Sequence, residues 1–78
     1  MDGSFGLQDL RPGETAVVKS LNSSGALRRR LLDIGLVEGT KVECLGLSPA
    51  GDPRAFLIRG AMLAIRGGDC KDIIVDKM

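Results

Sequence analysis

The sequence predicts a mainly β fold: a small β-barrel of about five strands with one inserted α-helix near residues 26–34. Three observations carry that expectation. Eleven Gly and three Pro cut 78 residues into short segments, as closely spaced strands and tight turns require. Apolar residues alternate with others in several of those segments. One segment has apolar residues at helical spacing instead.

The elements follow in order. Leu10-Arg11-Pro12-Gly13 reads as a turn, with Pro12 fixing φ and Gly13 able to take φ > 0. A strand follows over Thr15–Leu21. Val37-Glu38-Gly39-Thr40 repeats the turn chemistry and leads into a second strand, Lys41–Leu47. Both units share Leu-x-x-Gly, at Leu10–Gly13 and Leu36–Gly39. Four residues are local turn logic recurring, too short to establish a structural repeat. Between the strands lies the helix, Ala26–Ile34. Ser23 or Ser24 is placed to cap it, and Gly35 stands where a C′ glycine belongs. Leu27, Leu31 and Ile34 share one face, Arg29 and Asp33 the opposite one, and Leu32 points away from the apolar stripe.

The second half is strand-rich. Ser48–Pro53 is a loop with two prolines. A strand over Arg54–Arg59 has Phe56 and Ile58 in phase, Gly60-Ala61 makes a tight hairpin turn, and Met62–Arg66 returns with Leu63 and Ile65 on one face. Gly67-Gly68 breaks the chain, Asp69–Asp72 makes one helical turn, and Ile73–Val75 closes as a short strand. No linker interrupts this order, so residues 1–78 form a single domain.

Composition narrows the function. Eleven Lys and Arg against ten Asp and Glu leave a net charge of +1, which disfavours a phosphate-backbone binder. Trp and Tyr are absent and Phe occurs twice, so aromatic platforms for single-stranded nucleic acid are missing. No nucleic-acid partner is expected. Without His, the chain lacks the commonest general base and transition-metal ligand. No Ser-His or Cys-His pair is possible and no P-loop is present. The chain is therefore not expected to be an enzyme, to carry a cofactor or to hold a metal. No apolar run approaches the roughly 20 residues of a membrane-spanning helix. The start, Met1-Asp2-Gly3-Ser4-Phe5, lacks the basic and apolar regions of a signal peptide. A cytoplasmic location without direct membrane insertion follows as the expectation, and Cys44 and Cys70 suit it as reduced thiols.

The order of motifs is itself informative. Leu10-Arg11-Pro12-Gly13-Glu14 opens the chain, and the unbroken run from Leu27 to Val42 follows. Then come Ser48-Pro49-Ala50-Gly51-Asp52-Pro53, Arg59-Gly60, Leu63-Ala64-Ile65-Arg66, and Cys70 ahead of Ile73-x-Val75. Together these resemble the FeoA family, the small cytoplasmic component of bacterial ferrous iron transport, over a core of about residues 5–76. The resemblance implies an SH3-like barrel with a helix inserted after its first strand. It also implies an accessory or regulatory role exerted by protein–protein interaction with FeoB, a membrane permease with a cytoplasmic GTP-binding part. The family often has Ala where Cys70 stands; both are small and readily buried.

Candidate contact residues are Arg28, Arg29, Leu32, Leu36, Arg54 and Arg59. Arg28-Arg29-Arg30 lies on the helix, and Arg54, Arg59 and Arg66 fall between Pro53 and Gly68, a stretch without acid. Arginine gives planar, bidentate recognition of carboxylates, and apolar spots rimmed by charge mark protein contacts. A solvated basic face is the competing reading, and Leu36 and Val37 can equally plug the barrel end. Cys44 is in phase with Val42 and predicts a core-facing thiol, as does Cys70 beside Ile73. Asp69, Asp72 and Asp76 make an acidic patch, read as a solvated face. The alternative function is a small-barrel nucleic-acid-binding module. The expected state is a monomer or a weak homodimer through an open sheet edge.

Overall fold

The computed structural model describes residues 4–47, 49 and 51–78, of Ser4 and Leu47 the backbone alone. The expected Ser48–Pro53 loop is thus described in part, and Met1–Gly3 lie outside the described residues. Six strands form one antiparallel sheet: β1 (Ser4–Gly6), β2 (Thr15–Leu21), β3 (Lys41–Leu47), β4 (Arg54–Ile58), β5 (Ala61–Ile65) and β6 (Ile73–Lys77). Helix α1 (Gly25–Asp33) is inserted between β2 and β3, and the four-residue α2 (Gly67–Cys70) precedes β6. A 3₁₀ turn, Leu7–Asp9, follows β1. The strand order is β1-β6-β2-β3-β4-β5, so β1 and β5 are edges and the barrel is not closed.

Alternation sets which side chains turn inward. Ala16 and Val18 of β2, Val42 and Cys44 of β3, Phe56 and Ile58 of β4, and Ile73 and Val75 of β6 are all buried. Leu7 and Leu10 close one end, with Leu31, Leu36, Ile65 and Cys70 completing the core. Apolar burial at about 25 cal/mol per Å² is the main stabilising term for so small a chain.

The recurring Leu-x-x-Gly turns organise this sheet. In the first, the Glu14 amide donates to Arg11 O at 2.9 Å; in the second, the Thr40 amide donates to Val37 O at 3.0 Å. Their glycines have φ of 90° and 91°. Each turn is then bonded to the strand that follows the other. Gly13 N–H donates to Cys44 O at 2.8 Å, and Cys44 N–H donates back to Glu14 O at 3.0 Å. Gly39 N–H donates to Val18 O at 2.8 Å, and Val18 N–H donates back to Thr40 O at 2.8 Å.

The correspondence continues outward. β2 shifts register against β6 between Val18 and Ser20, and β3 shifts against β4 between Cys44 and Gly46. The sheet therefore has a pseudo-twofold axis beside the Ala16–Val42 pair. Four shared residues do not establish such a repeat; the reciprocal hydrogen bonds do.

Three expectations are corrected. The helical turn expected at Asp69–Asp72 is Gly67–Cys70, so Gly67-Gly68 opens it rather than breaking the chain. The hairpin turn is Arg59-Gly60, one residue earlier than Gly60-Ala61, because Ile58 pairs with Ala61. Its two central residues have φ of 52° and 83°, the conformation of a type I′ turn, whose twist matches that of the flanking strands. A sixth strand, β1, pairs Phe5 with Val75. Three residues are too short to display alternation, so no local pattern marks this strand.

Helix α1 is secured at its C-terminus. Gly35 N–H donates to Leu32 O and Leu36 N–H to Leu31 O, both at 3.0 Å, the paired bonds of a Schellman motif. Leu31 and Leu36 are both buried beside it. At the N-terminus Ser24 is the cap residue but makes no side-chain capping bond, since Gly25 enters at φ 65°. Ser23 is buried with its hydroxyl unpartnered.

A Cβ at residue 13 or 39 would meet nothing within 4 Å, so replacement there costs only backbone strain. Gly13→Ala and Gly39→Ala should each lower stability by about 1 kcal/mol in urea unfolding. Gly46→Ala, in equally open space without a positive φ, should change stability much less.

Candidate partner-binding surface

The junction between α1 and the sheet positions the exposed apolar residues. The Schellman turn drives Leu36 into the core and releases Val37 to the surface. Gly35 O accepts from Thr40 Oγ1 at 2.9 Å and from Arg59 Nε at 3.4 Å. The Arg59 stem crosses Gly35 so closely that a Cβ there would lie 2.5 Å from Arg59 Cδ. The hairpin tip is thereby laid over the helix end.

Two concavities meet at this junction. One, of about 220 Å³, is lined by Lys19, Leu21, Arg28, Leu32, Val37 and Glu38, with Leu36 at its base. The other, of about 550 Å³, is lined by Val37, Glu38, Lys41, Glu43, Leu57 and Arg59. Leu32, Val37 and Leu57 are 38%, 39% and 36% exposed. Arg28 is anchored on the rim, its Nη1 donating to Leu21 O at 2.9 Å. The result is a run of three apolar side chains flanked by Arg28 and Arg59.

The candidate residues therefore divide. Arg28, Leu32 and Arg59 are brought around Val37. Arg29 lies apart, on a helix face shared with Gly25, Arg30 and Asp33. Arg54 is half-buried and its Nη1 donates to Leu10 O at 3.1 Å, which makes it a tie between β4 and the first turn. Leu36 is corrected: it is 0% exposed, because the helix-ending bonds fold it inward, and it cannot touch a partner. Leu57 was missed, although its signal was present. It lies out of phase with Phe56 and Ile58, so period 2 turns it outward.

The FeoA domain model matches residues 5–77. The chain belongs to the FeoA family. A curated relative, the Fe(2+) transport protein A/Fe(2+) transporter FeoB fusion protein of Porphyromonas gingivalis, is 29% identical over 70 residues. The match covers 90% of this chain and 8% of that much longer protein. The FeoA protein of Chlorobium tepidum, solved by NMR, is 36% identical with a TM-score of 0.90, over 95% of this chain and 70% of that one. The Stenotrophomonas maltophilia FeoA, crystallised with zinc and described as an SH3 domain protein, is 29% identical with a TM-score of 0.82, over 92% of this chain and 89% of that one. The SH3-like fold expected of the family is the fold found.

Neither thiol of this FeoA domain is poised for chemistry. Cys44 and Cys70 are free and fully buried. Burial raises the Cys44 pKa and pushes that of Cys70 up to about 12. The Cys70 thiol donates to Ile65 O at 3.7 Å. Asp69, Asp72 and Asp76 stand on α2, the following turn and β6. Among the described residues, no three His, Cys, Asp or Glu converge into a group that could hold a metal ion.

The thiols set an alkaline limit on stability. Below pH 9 folded and unfolded chains both keep the Cys70 proton. Above it the unfolded chain ionises and the folded one does not, until about pH 12. Unfolding free energy should fall across that window by at most about 1.4 kcal/mol per pH unit for this group. The Cys70→Ala variant should show a shallower decline in urea melts. Ellman's reagent at pH 8 should label neither thiol until the chain is unfolded.

Proposed function

We propose that this chain is a cytoplasmic docking module of bacterial ferrous iron uptake that binds the GTP-binding part of a FeoB-type permease. The observation that carries this reading is the Porphyromonas gingivalis relative, in which FeoA and FeoB are joined in one protein. Fusion places two domains at high effective concentration, which benefits partners that act together. Among the described residues no helix is long and apolar enough to cross a membrane, consistent with a role outside the bilayer. The contact is assigned to the surface around Val37. Its apolar centre and arginine rim are what a modest protein interface uses, and carboxylates on the permease would pair with Arg28 and Arg59.

The Arg28-Arg29-Arg30 run invites a second idea, an arginine finger that accelerates GTP hydrolysis. Successive helical residues step by about 100°, so the three cannot converge on one phosphate. Arg28 is further held by its bond to Leu21 O.

Pull-down and calorimetry with the intact permease, with and without a GTP analogue, test it. Arg28→Ala should weaken binding by about 1 kcal/mol, and Val37→Asp by more, because it places a charge at the desolvated centre. Arg29→Ala and a wild-type control should bind alike. Binding unaffected by either Arg28→Ala or Val37→Asp removes the surface from consideration.

Permease GTP turnover at saturating domain should be the same for wild type and Arg28→Ala. A wild-type acceleration of about 10³-fold or more that one arginine abolishes while binding persists would establish a finger.

A further inference from the structure

The β5 edge is the one long strand edge without a partner among the described residues. It has a strand, β4, on one side only. Its sequence, Ala61-Met62-Leu63-Ala64-Ile65, has no charge, no Pro and no Gly. Natural proteins usually blunt such an edge with Lys, Pro or a bulge, because it templates further strand pairing. β5 has none of these, and its Met62 is 71% exposed.

The two-residue hairpin decides which groups face outward. Ile58 and Ala61 flank the turn and form a hydrogen-bonded pair, and bonded pairs then alternate. Phe56–Leu63 and Arg54–Ile65 are the next bonded pairs by register. Met62 and Ala64 therefore direct N–H and C=O away from β4. Beside that edge a groove of about 620 Å³ runs between β5 and α1, floored by Leu27, Leu31, Ile34 and Leu63. Arg30 and Arg66 stand on its rim with one carboxylate, Asp69.

We propose that β5 accepts an added strand: an extended segment of a partner protein, apolar at alternate positions and acidic at its ends. Main-chain bonds at Met62 and Ala64 would hold it, alternate side chains would enter the α1–β5 groove, and its acidic ends would meet arginine. Charge decides against a second copy as the occupant. Antiparallel self-pairing centred on Leu63 would bring Arg66 of each copy to the hairpin end carrying Arg59 of the other. β4, the hairpin turn and β5 carry no acid of their own to offset that repulsion; the acids near these arginines, Asp69 beside Arg66 and Glu38 and Glu43 beside Arg59, stand on other elements. The inference does not rest on the permease reading, since it uses a different edge of the molecule.

The probe is a blocked heptapeptide, Glu-Val-Thr-Val-Thr-Val-Glu, with a Lys-ended twin. NMR titration of the intact chain should move the Met62 and Ala64 amides, and the Lys-ended peptide should bind about tenfold more weakly. Ala64→Pro removes an outward N–H without removing a β4–β5 bond, and should reduce binding about tenfold or more. Should that variant fail to fold, Arg66→Glu serves instead, with a loss of similar size. Shifts elsewhere, affinity indifferent to peptide charge, or binding unchanged in the folded variants would each overturn the proposal. So would a β5-mediated dimer of the free chain in light scattering, which would make a second copy the occupant.

Discussion

Two pairs of reciprocal backbone bonds, between each Leu-x-x-Gly turn and the strand that follows the other, hold this fold in register. Gly13 and Glu14 clasp Cys44, and Gly39 and Thr40 clasp Val18. A one-residue slip between β2 and β3 would break both clasps and turn one strand's inward pair, Ala16 and Val18 or Val42 and Cys44, out of the core. With that pair fixed, β6 and β4 add outside it through matching register shifts. The leucine that begins each turn, Leu10 or Leu36, is then buried in the common core. The core is small, so stability depends on these specific register bonds together with apolar area.

Most of this was legible in the residues. Strands β2 and β3 have the bounds that alternation predicted, because each begins just after a proline- or glycine-marked turn. Phe56, Ile58, Leu63 and Ile65 fall on the predicted faces. The helix was legible from Leu27, Leu31 and Ile34, and its end from Gly35. What escaped depended on long-range partners. β1 is a strand only because Val75 pairs with Phe5, and no local pattern in three residues records that. The hairpin moved by one residue because a type I′ turn needs positive φ at two positions, and Arg59 supplies the first against its own preference.

The candidate surface was legible in part for the same reason. Arg28 and Leu32 lie four apart on a helix, so their proximity is local. Their meeting with Arg59 depends on the hairpin tip crossing Gly35, which is tertiary. Leu36 shows the limit of composition: an apolar residue after a helix suits a plug or a patch equally well. The Schellman bonds decide it, sending Leu36 inward and Val37 outward. One device thus ends the helix, seals the core and exposes the apolar residue at the centre of the proposed docking surface.

The pseudo-twofold also clarifies where the two halves have diverged. Edge strands β1 and β5 occupy equivalent places outside β6 and β4. The β1 edge is three residues long, and its Phe5 is covered by the Lys77 ammonium 4.7 Å from the ring centroid. Lys77 is also paired with Glu14 at 3.4 Å, and the Arg11 amide donates to the same carboxylate. That carboxyl is held below its usual range, chiefly by the Arg11 amide and further by Lys77. A short strand, a cation and a carboxylate are the devices by which a sheet edge is closed to strangers. At β5 the equivalent position holds a longer, uncharged strand with a groove and arginines beside it. Symmetric packing explains why both edges exist. It does not explain why one is guarded and the other bare. The difference lies in side chains that contribute little to the core, where sequence is free to answer to a partner rather than to folding.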